Sequence, residues 1–461
     1  MELTHNPTLL WFLAGYGVIM VVMGIFYSKK ISSSEDFILA GKSLGAVVLM
    51  GTLIATWVGS GTITGGSNSL AYSFGIWPAM LQSVSAIVGI GLLFFIAERI
   101  RTFGKYTISE ILETKYGESA KMLSVVVIVL AYVGIVSYQF QGFGFVLNVT
   151  TGIPVQTGTI IAAVLIIFLA AAGGLKAVAA TDAIGAFVIL IGLGVGIPFS
   201  ISAAGGWANI TETVPPSSLE VLGGLTPLQL TGYLIPSLFL LLGDQNMYQR
   251  LAASRGSRDT RIGSIGWLIG VIFIYPAVSI IAFSARVTFP DINPGMALIA
   301  TTTILPTLIG GLLLAAAAAF IVTTGNSYLL SASTNITYDL YGKYINPKAS
   351  DKQKLLFTRI LIPVLGLLSY LLIEYFPSIL SVQMYAYTVY AAGITPAVLA
   401  VFLWKKVTKA GGLASMSAGV ITTLVWEIVL RQPYDLNSSV VSIPVAFAAL
   451  IIVTLITAKK E

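Results

Sequence analysis

The sequence predicts an all-α polytopic membrane protein with about thirteen transmembrane helices. Three observations carry this. Only 10% of the 461 residues are charged and 56% are hydrophobic, whereas soluble domains carry roughly 25% charged residues. Apolar runs recur at intervals of about thirty-five residues, each long enough for the ~20 helical residues that cross a bilayer. The basic residues fall on alternate loops. All but two of the 25 Lys and Arg, Arg286 and Arg431, lie on one side, Lys29, Lys30, Lys459 and Lys460 among them. The positive-inside rule makes that side cytoplasmic, which places the N-terminus outside and the C-terminus inside in a multi-pass protein of the cell membrane.

The expected spans are 8–28, 44–75, 76–99, 120–150, 154–173, 179–205, 227–250, 262–287, 303–341, 355–375, 378–404, 411–431 and 439–458. The first lacks a basic n-region and a small-residue cleavage site, so it reads as a retained helix. The segment 99–121 between the third and fourth spans is amphipathic and predicts a surface helix with a solvated charged face. The longest outer loop, Trp207 to Pro227, carries Glu212, Glu220 and the turn pair Pro215-Pro216. No stretch is polar enough for a separate soluble domain, so residues 1–461 read as one transmembrane domain. The net charge of +6 follows the topology and does not indicate nucleic acid. Cysteine is absent and the single histidine, His5, lies in the N-terminal tail. Thiol and histidine catalysis, zinc-thiolate sites and disulfides are therefore excluded. No nucleophile–base pair points to an enzyme.

The span 44–75 departs from the others. Gly59, Gly61, Gly65 and Gly66 lie in its middle among Thr56, Ser60, Thr62, Thr64, Ser67 and Asn68. Each glycine costs a helix about 1 kcal/mol relative to alanine. Non-helical backbone at membrane depth is tolerated only where protein or a watery cavity surrounds it. The alternative is a tight helix–helix contact, which also uses small residues. The span 227–250 runs in the opposite sense and holds Pro236 and Gly243. Two discontinuous helices at matching places predict two inverted repeats, about 44–205 and 227–404, with extra helices at about 8–28, 411–431 and 439–458.

The segment from Leu312 to Tyr341 is rich in hydroxyls and amides. Phe320, Thr323, Thr324 and Ser327 recur at i, i+3, i+4 and i+7, on one helix face. Such hydroxyls either back-bond to their own helix or, with unwound carbonyls between Ala55 and Val58, offer about five oxygens to a hard cation such as Na⁺. Asp182 stands at the expected start of a span. A carboxylate there is either functional or a helix cap. Asp244 reads as structural, Arg250 as a side chain snorkelling to the headgroups, and Asp339, Glu374 and Glu427 as span-end residues without special function.

These residues carry a resemblance. ATWVGSGTITGG with AYSFG, then YTISEILETKYG, GGLKAVAATD, GDQNMYQR and a polar helix ending in TYDLY together resemble the sodium:solute symporter family. That family includes bacterial proline, pantothenate, sialic-acid and sugar symporters. The resemblance implies a LeuT-like fold of five plus five inverted helices, one helix before and two after. It implies a sodium site from the carbonyls of Ala55, Val58 and Phe320 and the hydroxyls of Thr323 and Thr324. Many members have Ala at the Phe320 position, where the carbonyl still remains. In some members the Asp182 position belongs to a second cation site, whose other positions here hold Asn326 and Ser327; the asparagine departs from the pattern. The solute is expected beside the unwound segment, against Trp57, Gly59, Gly61, Thr62, Gln82, Tyr138, Gln139, Gln141, Gln383, Tyr385 and Tyr387. The Trp57 position is a carboxylate in the proline symporters and an amide in the sugar symporter. No Arg or Lys lies deep in the helix 120–150 to clamp a carboxylate.

The expected activity is Na⁺-coupled symport of a small neutral or zwitterionic solute such as an amino acid, proline-like, by alternating access. A monocarboxylate such as pantothenate, or a sugar, is the alternative cargo. Proton coupling through Asp182 is an alternative drive, and a channel or a transporter-derived sensor an alternative class. Na⁺ is the coupling ion, no other cofactor is expected, and the chain is expected to work as a monomer in the bilayer.

Overall fold

The computed structural model describes residues 5–28, 34–105, 107–376 and 378–458. Lys29, Lys30, Lys459 and Lys460, which contribute to the expected charge asymmetry, lie outside these. Among the described residues there is no strand, and a single bridge joins Leu44 to Ser254. Among the described residues nine helices are long and apolar enough to cross a membrane, ten with the bent pair Ala46–Trp57 and Ser60–Ser73 taken as one span. The other three expected spans coincide with the shorter helices Pro7–Met23 and Val155–Ala171 and with Pro227–Gly243. The count of thirteen therefore rests on those three.

Burial separates a core from a rim. The helix that begins at Thr307 is the most enclosed, with 83% of its apolar window buried, followed by 78% for Ile379–Leu403. Asp351–Tyr375, Lys409–Val429 and Ser439–Thr457 are each only 28% buried. Their open faces carry Leu367, Ile421 and Ile452, apolar side chains suited to lipid. Thr307–Thr334 packs against Val155–Ala203 and Glu118–Thr151, while Ser257–Thr288 packs on Ala46–Trp57 and Ile76–Phe103.

Both expected discontinuities are present. The first span bends by 55° at Val58–Gly59. The second helix runs through Pro236 without interruption and breaks instead at Asp244, where the backbone turns extended before Gln245–Ala252 resumes.

The segment 99–121 contains the helix Ile108–Tyr116, opened by a capping box of Thr107 and Glu110. It is more than a solvated face. Ile108, Ile111, Leu112 and Tyr116 are buried, and the Tyr116 hydroxyl donates to the Ala397 carbonyl at 2.9 Å. Its other face holds Glu113, which pairs with Lys121 at 2.9 Å and with Lys343. Asp339 likewise departs from expectation: it is fully enclosed and paired with Lys121 at 3.0 Å, a buried ion pair that ties the end of the Thr307 helix to Glu118–Thr151.

Candidate ion and solute site

The break brings backbone oxygens and the hydroxyl helix together. The Thr324 hydroxyl reaches across to the Ala55 carbonyl at 3.0 Å and stands 3.4 Å from that of Thr56. This approach depends on Gly59. A Cβ there would lie 2.4 Å from the Thr324 Oγ1, well inside van der Waals contact. Val58, the residue that ends the first half-helix, has φ −91° and ψ 43°, which takes its carbonyl out of the regular helical direction. The two readings of the hydroxyl face divide between residues. Thr323 turns back to the Phe320 carbonyl at 3.3 Å but also faces the Asp182 carboxylate, Ser327 turns back to the Thr323 carbonyl at 2.8 Å, and Thr324 bonds outward.

Asp182 does not cap a helix. Helical backbone continues from Val155 to Ala203, so no helix start lies beside it. A Cβ on Gly51 would lie 2.4 Å from the Ala183 Cα, and that close crossing sets Thr52 against the carboxylate. Thr52 Oγ1 donates to Asp182 Oδ2 at 2.6 Å. Arg250 does not snorkel either. It is completely buried, and donates to Thr52 Oγ1 at 3.0 Å, to Ser327 Oγ at 2.8 Å and to the Asn246 carbonyl at 3.3 Å. The Asn326 Oδ1 is buried without a hydrogen-bond partner. Asp244 matches its structural reading. It caps Gln245–Ala252 through the Asn246 N–H at 3.1 Å and accepts the hydroxyls of Tyr132 at 2.6 Å and Tyr328 at 2.8 Å.

Most expected wall residues converge on the break. Trp57 stacks on Tyr387 with ring centroids 6.3 Å apart. The Tyr138 and Tyr387 hydroxyls are 3.4 Å apart, and Thr62 donates to the Tyr275 hydroxyl at 3.2 Å. A Cβ on Gly61 would meet the Tyr387 hydroxyl at 2.7 Å and Gln383 at 3.0 Å. The glutamines take a role that their positions alone do not reveal. Gln139 Oε1 accepts the Ser60 N–H at 2.9 Å and Gln383 Oε1 the Gly66 N–H at 2.8 Å. Those are first amides of the resumed helical turns, orphans of the break. Gln82 accepts from the Ser67 hydroxyl at 3.2 Å, and its Nε2 is buried without a partner.

Two wall residues do not join the cluster. Gln141 lines a separate cavity of about 330 Å³ with Gln156, Thr159, Tyr370 and Glu374. Tyr385 packs on Phe376 at 5.3 Å. Each lies two positions from a residue that does converge, Gln139 and Tyr387, and two helical steps turn a side chain by roughly 200°. Tyr275, Thr52 and the Tyr132–Tyr328–Asp244 group belong to the site region but were not expected there. Tyr275, preceding Pro276 in an apolar run, was the one with a visible signal.

Comparisons with known proteins bear on the family and the fold. The chain is 27% identical over 432 residues to a high-affinity proline transporter of Bacillus subtilis, covering 88% of this chain and 89% of the relative. It is 26% identical to the sodium/pantothenate symporter of Escherichia coli over 71% of each chain. It is 24% identical to a high-affinity choline transporter of Caenorhabditis elegans over 88% of this chain and 76% of that one. Among solved structures, a Na⁺-coupled sialic acid symporter, substrate-bound and outward-open, superposes with a TM-score of 0.83 at 20% identity, over 98% of both chains. The structure of MhsT in complex with L-phenylalanine gives 0.59 at 17% identity, over 90% and 98%. The fold is thus of the LeuT type, and the similar proteins are transporters rather than enzymes. A model described as the sodium:solute symporter family matches residues 37–419, and the chain belongs to that family.

Proposed function

We propose that the chain carries a small neutral or zwitterionic organic solute, amino-acid-like, into the cell together with Na⁺. Ala55, Val58, Phe320, Thr323 and Thr324 hold the ion. The observation that carries this reading is the Thr324 hydroxyl at 3.0 Å from the Ala55 carbonyl across the break. That contact brings oxygen ligands of two separate helices to one point, the donor type a hard cation prefers. The breaks at Val58–Gly59 and Asp244 support two inverted halves, about 44–205 and 227–404, rocking around this point, and the positive-inside distribution of Lys and Arg supports an N-terminus outside. The solute sits against Trp57, Gly61, Thr62, Gln82, Tyr138 and Tyr387. The spare Gln82 Nε2 donor suits an acceptor oxygen of such a solute.

The rings of Trp57, Tyr138, Tyr275 and Tyr387 favour a second reading of the cargo, a quaternary ammonium held by cation–π contact. The test is uptake by proteoliposomes of a panel containing proline, pantothenate, choline and a hexose, under an inward Na⁺ gradient or a pH gradient. Na⁺-dependent accumulation of proline or a similar zwitterion is expected, and choline in its place selects the second reading. Uptake that ignores Na⁺ and follows the pH gradient refutes sodium coupling.

A further inference from the structure

We propose that the cavity of about 330 Å³ beside Gln141 is a second binding site, for a small amphipathic amine in its protonated form. The site goes beyond the symport reading and does not rest on it. Its volume reaches the roughly 300 Å³ at which small-molecule pockets begin. It lies where the last third of Glu118–Thr151 and the first turns of Val155–Ala203 meet the end of Asp351–Leu372. The lining is divided by chemistry. Val155, Ile373 and Phe376 form an apolar wall, while Gln141, Gln156, Tyr370 and Glu374 bring two amides, a phenol and a carboxylate. None of these four polar side chains is spent on a hydrogen bond or ion pair with another described residue. A second polar cavity, of about 130 Å³, shows the contrast. There Ser378 caps the Ser381 N–H at 3.1 Å, Gln229 accepts the Thr226 N–H at 2.9 Å and Asn437 accepts the Thr388 hydroxyl at 3.0 Å. Those polar groups hold the protein together, whereas the ones around Gln141 are left for a ligand.

Charge selects the ligand. Glu374 is the one charged residue of the lining, so the cavity presents a negative charge with no counter-charge beside it. A carboxylate bonds a protonated amine more strongly than any neutral donor, and the rings of Tyr370 and Phe376 add attraction for a cation. The apolar wall takes the body of the ligand, and the amides accept or donate at its far end. The cavity shares a helix with the solute site but no side chain, since Gln139 and Gln141 point to opposite sides of Glu118–Thr151. Its edge is open to lipid. Ile160 and Leu371, the chain neighbours of the lining residues Thr159 and Tyr370, are 48% and 51% exposed. The same amine chemistry can therefore come from a free solute or from the head of an aminophospholipid.

The test is calorimetric titration of the delipidated full-length protein, without Na⁺, with three phenols of nearly equal size: tyramine, the neutral alcohol tyrosol and the anion 4-hydroxyphenylacetate. Tyramine is expected to bind saturably, and the other two about tenfold more weakly or not at all, for want of the charge-assisted contact. Glu374→Gln, at an exposed helix end where folding does not depend on it, is expected to weaken tyramine by the same factor. Gly61→Ala crowds the solute site instead, where its Cβ would meet the Tyr387 hydroxyl at 2.7 Å, and is expected to leave tyramine binding as in wild type. No saturable tyramine binding, equal affinity for tyrosol, or undiminished binding to Glu374→Gln overturns the inference. So does a loss in Gly61→Ala that Glu374→Gln does not share, which would place tyramine in the solute site. None of these outcomes bears on sodium symport, which the uptake panel tests separately. In nanodiscs, binding weakened by phosphatidylethanolamine but not by phosphatidylglycerol assigns the site to a lipid head, and equal binding in both assigns it to a free amine.

Discussion

At the scale of the residue, the contact between Thr324 and Ala55 is the most exposed to test. Thr324→Ala removes one hydroxyl ligand but keeps a methyl-sized side chain. We expect the Na⁺ half-saturation of transport to rise about tenfold, the equivalent of roughly 1.4 kcal/mol, with expression unchanged. Gly59→Ala attacks the same contact from the other side. Its Cβ would need the space of Thr324 Oγ1, and overpacking of this kind costs about 1–3 kcal/mol. Na⁺ titration of each variant, followed by protein fluorescence, checks both. If either binds Na⁺ as wild type does, the hydroxyl face is structural only. These two positions are legible in the sequence, since glycines clustered inside a membrane span and hydroxyls recurring at helical spacing single them out. The roles of Gln139 and Gln383 are not. Whether a glutamine meets solute or caps a backbone amide depends on which neighbouring helix arrives at it, and a single chain does not encode that locally. Arg250 was misplaced for the same reason. Its sequence position near a span end suits snorkelling, and only the arrival of Thr52 and Ser327 from two other helices makes burial tolerable.

At the scale of the element, the second broken helix is held by Asp244. Its carboxylate satisfies an N-terminal amide of Gln245–Ala252 and two tyrosine hydroxyls from different helices. Tyr328→Phe removes one hydrogen bond from this charged acceptor and should cost about 1.5–3 kcal/mol, read as a lower apparent Tm in detergent. An unchanged Tm would show that the hydroxyl adds nothing to the break. The short helix Ile108–Tyr116 offers a different handle. Burial pushes the Glu113 carboxyl up, but hydrogen bonds from Lys343 and Lys121 more than offset this and hold it below the usual carboxylate range. A lowered folded-state value means stability present above the unfolded pKa and lost as pH falls through the folded one. Amide exchange in Ile108–Tyr116 should therefore quicken below about pH 4, and Glu113→Gln should quicken it at neutral pH. Exchange that is flat across this range would show that the ion pairs do not hold the helix.

At the scale of the whole molecule, the fold was legible because a bilayer leaves the chain few options: backbone polar groups must be satisfied within helices. The apolar runs therefore mapped onto helices, and the two breaks fell in the spans whose internal glycines marked them, at Val58–Gly59 and just after Gly243. What remained illegible was the rotation of each helix about its axis, which separates Gln139 from Gln141 and Tyr387 from Tyr385. One feature of the assembled molecule bears on speed. Gln139 and Gln383 bond the first amides of the resumed helix from two other helices, so the unwound backbone is braced before any ion arrives. An entering ion then has only its own water to shed and no helix to melt. On the symport reading proposed above, capture is then expected to be limited by dehydration of the ion, and the slow step of the cycle by the larger rearrangement that follows.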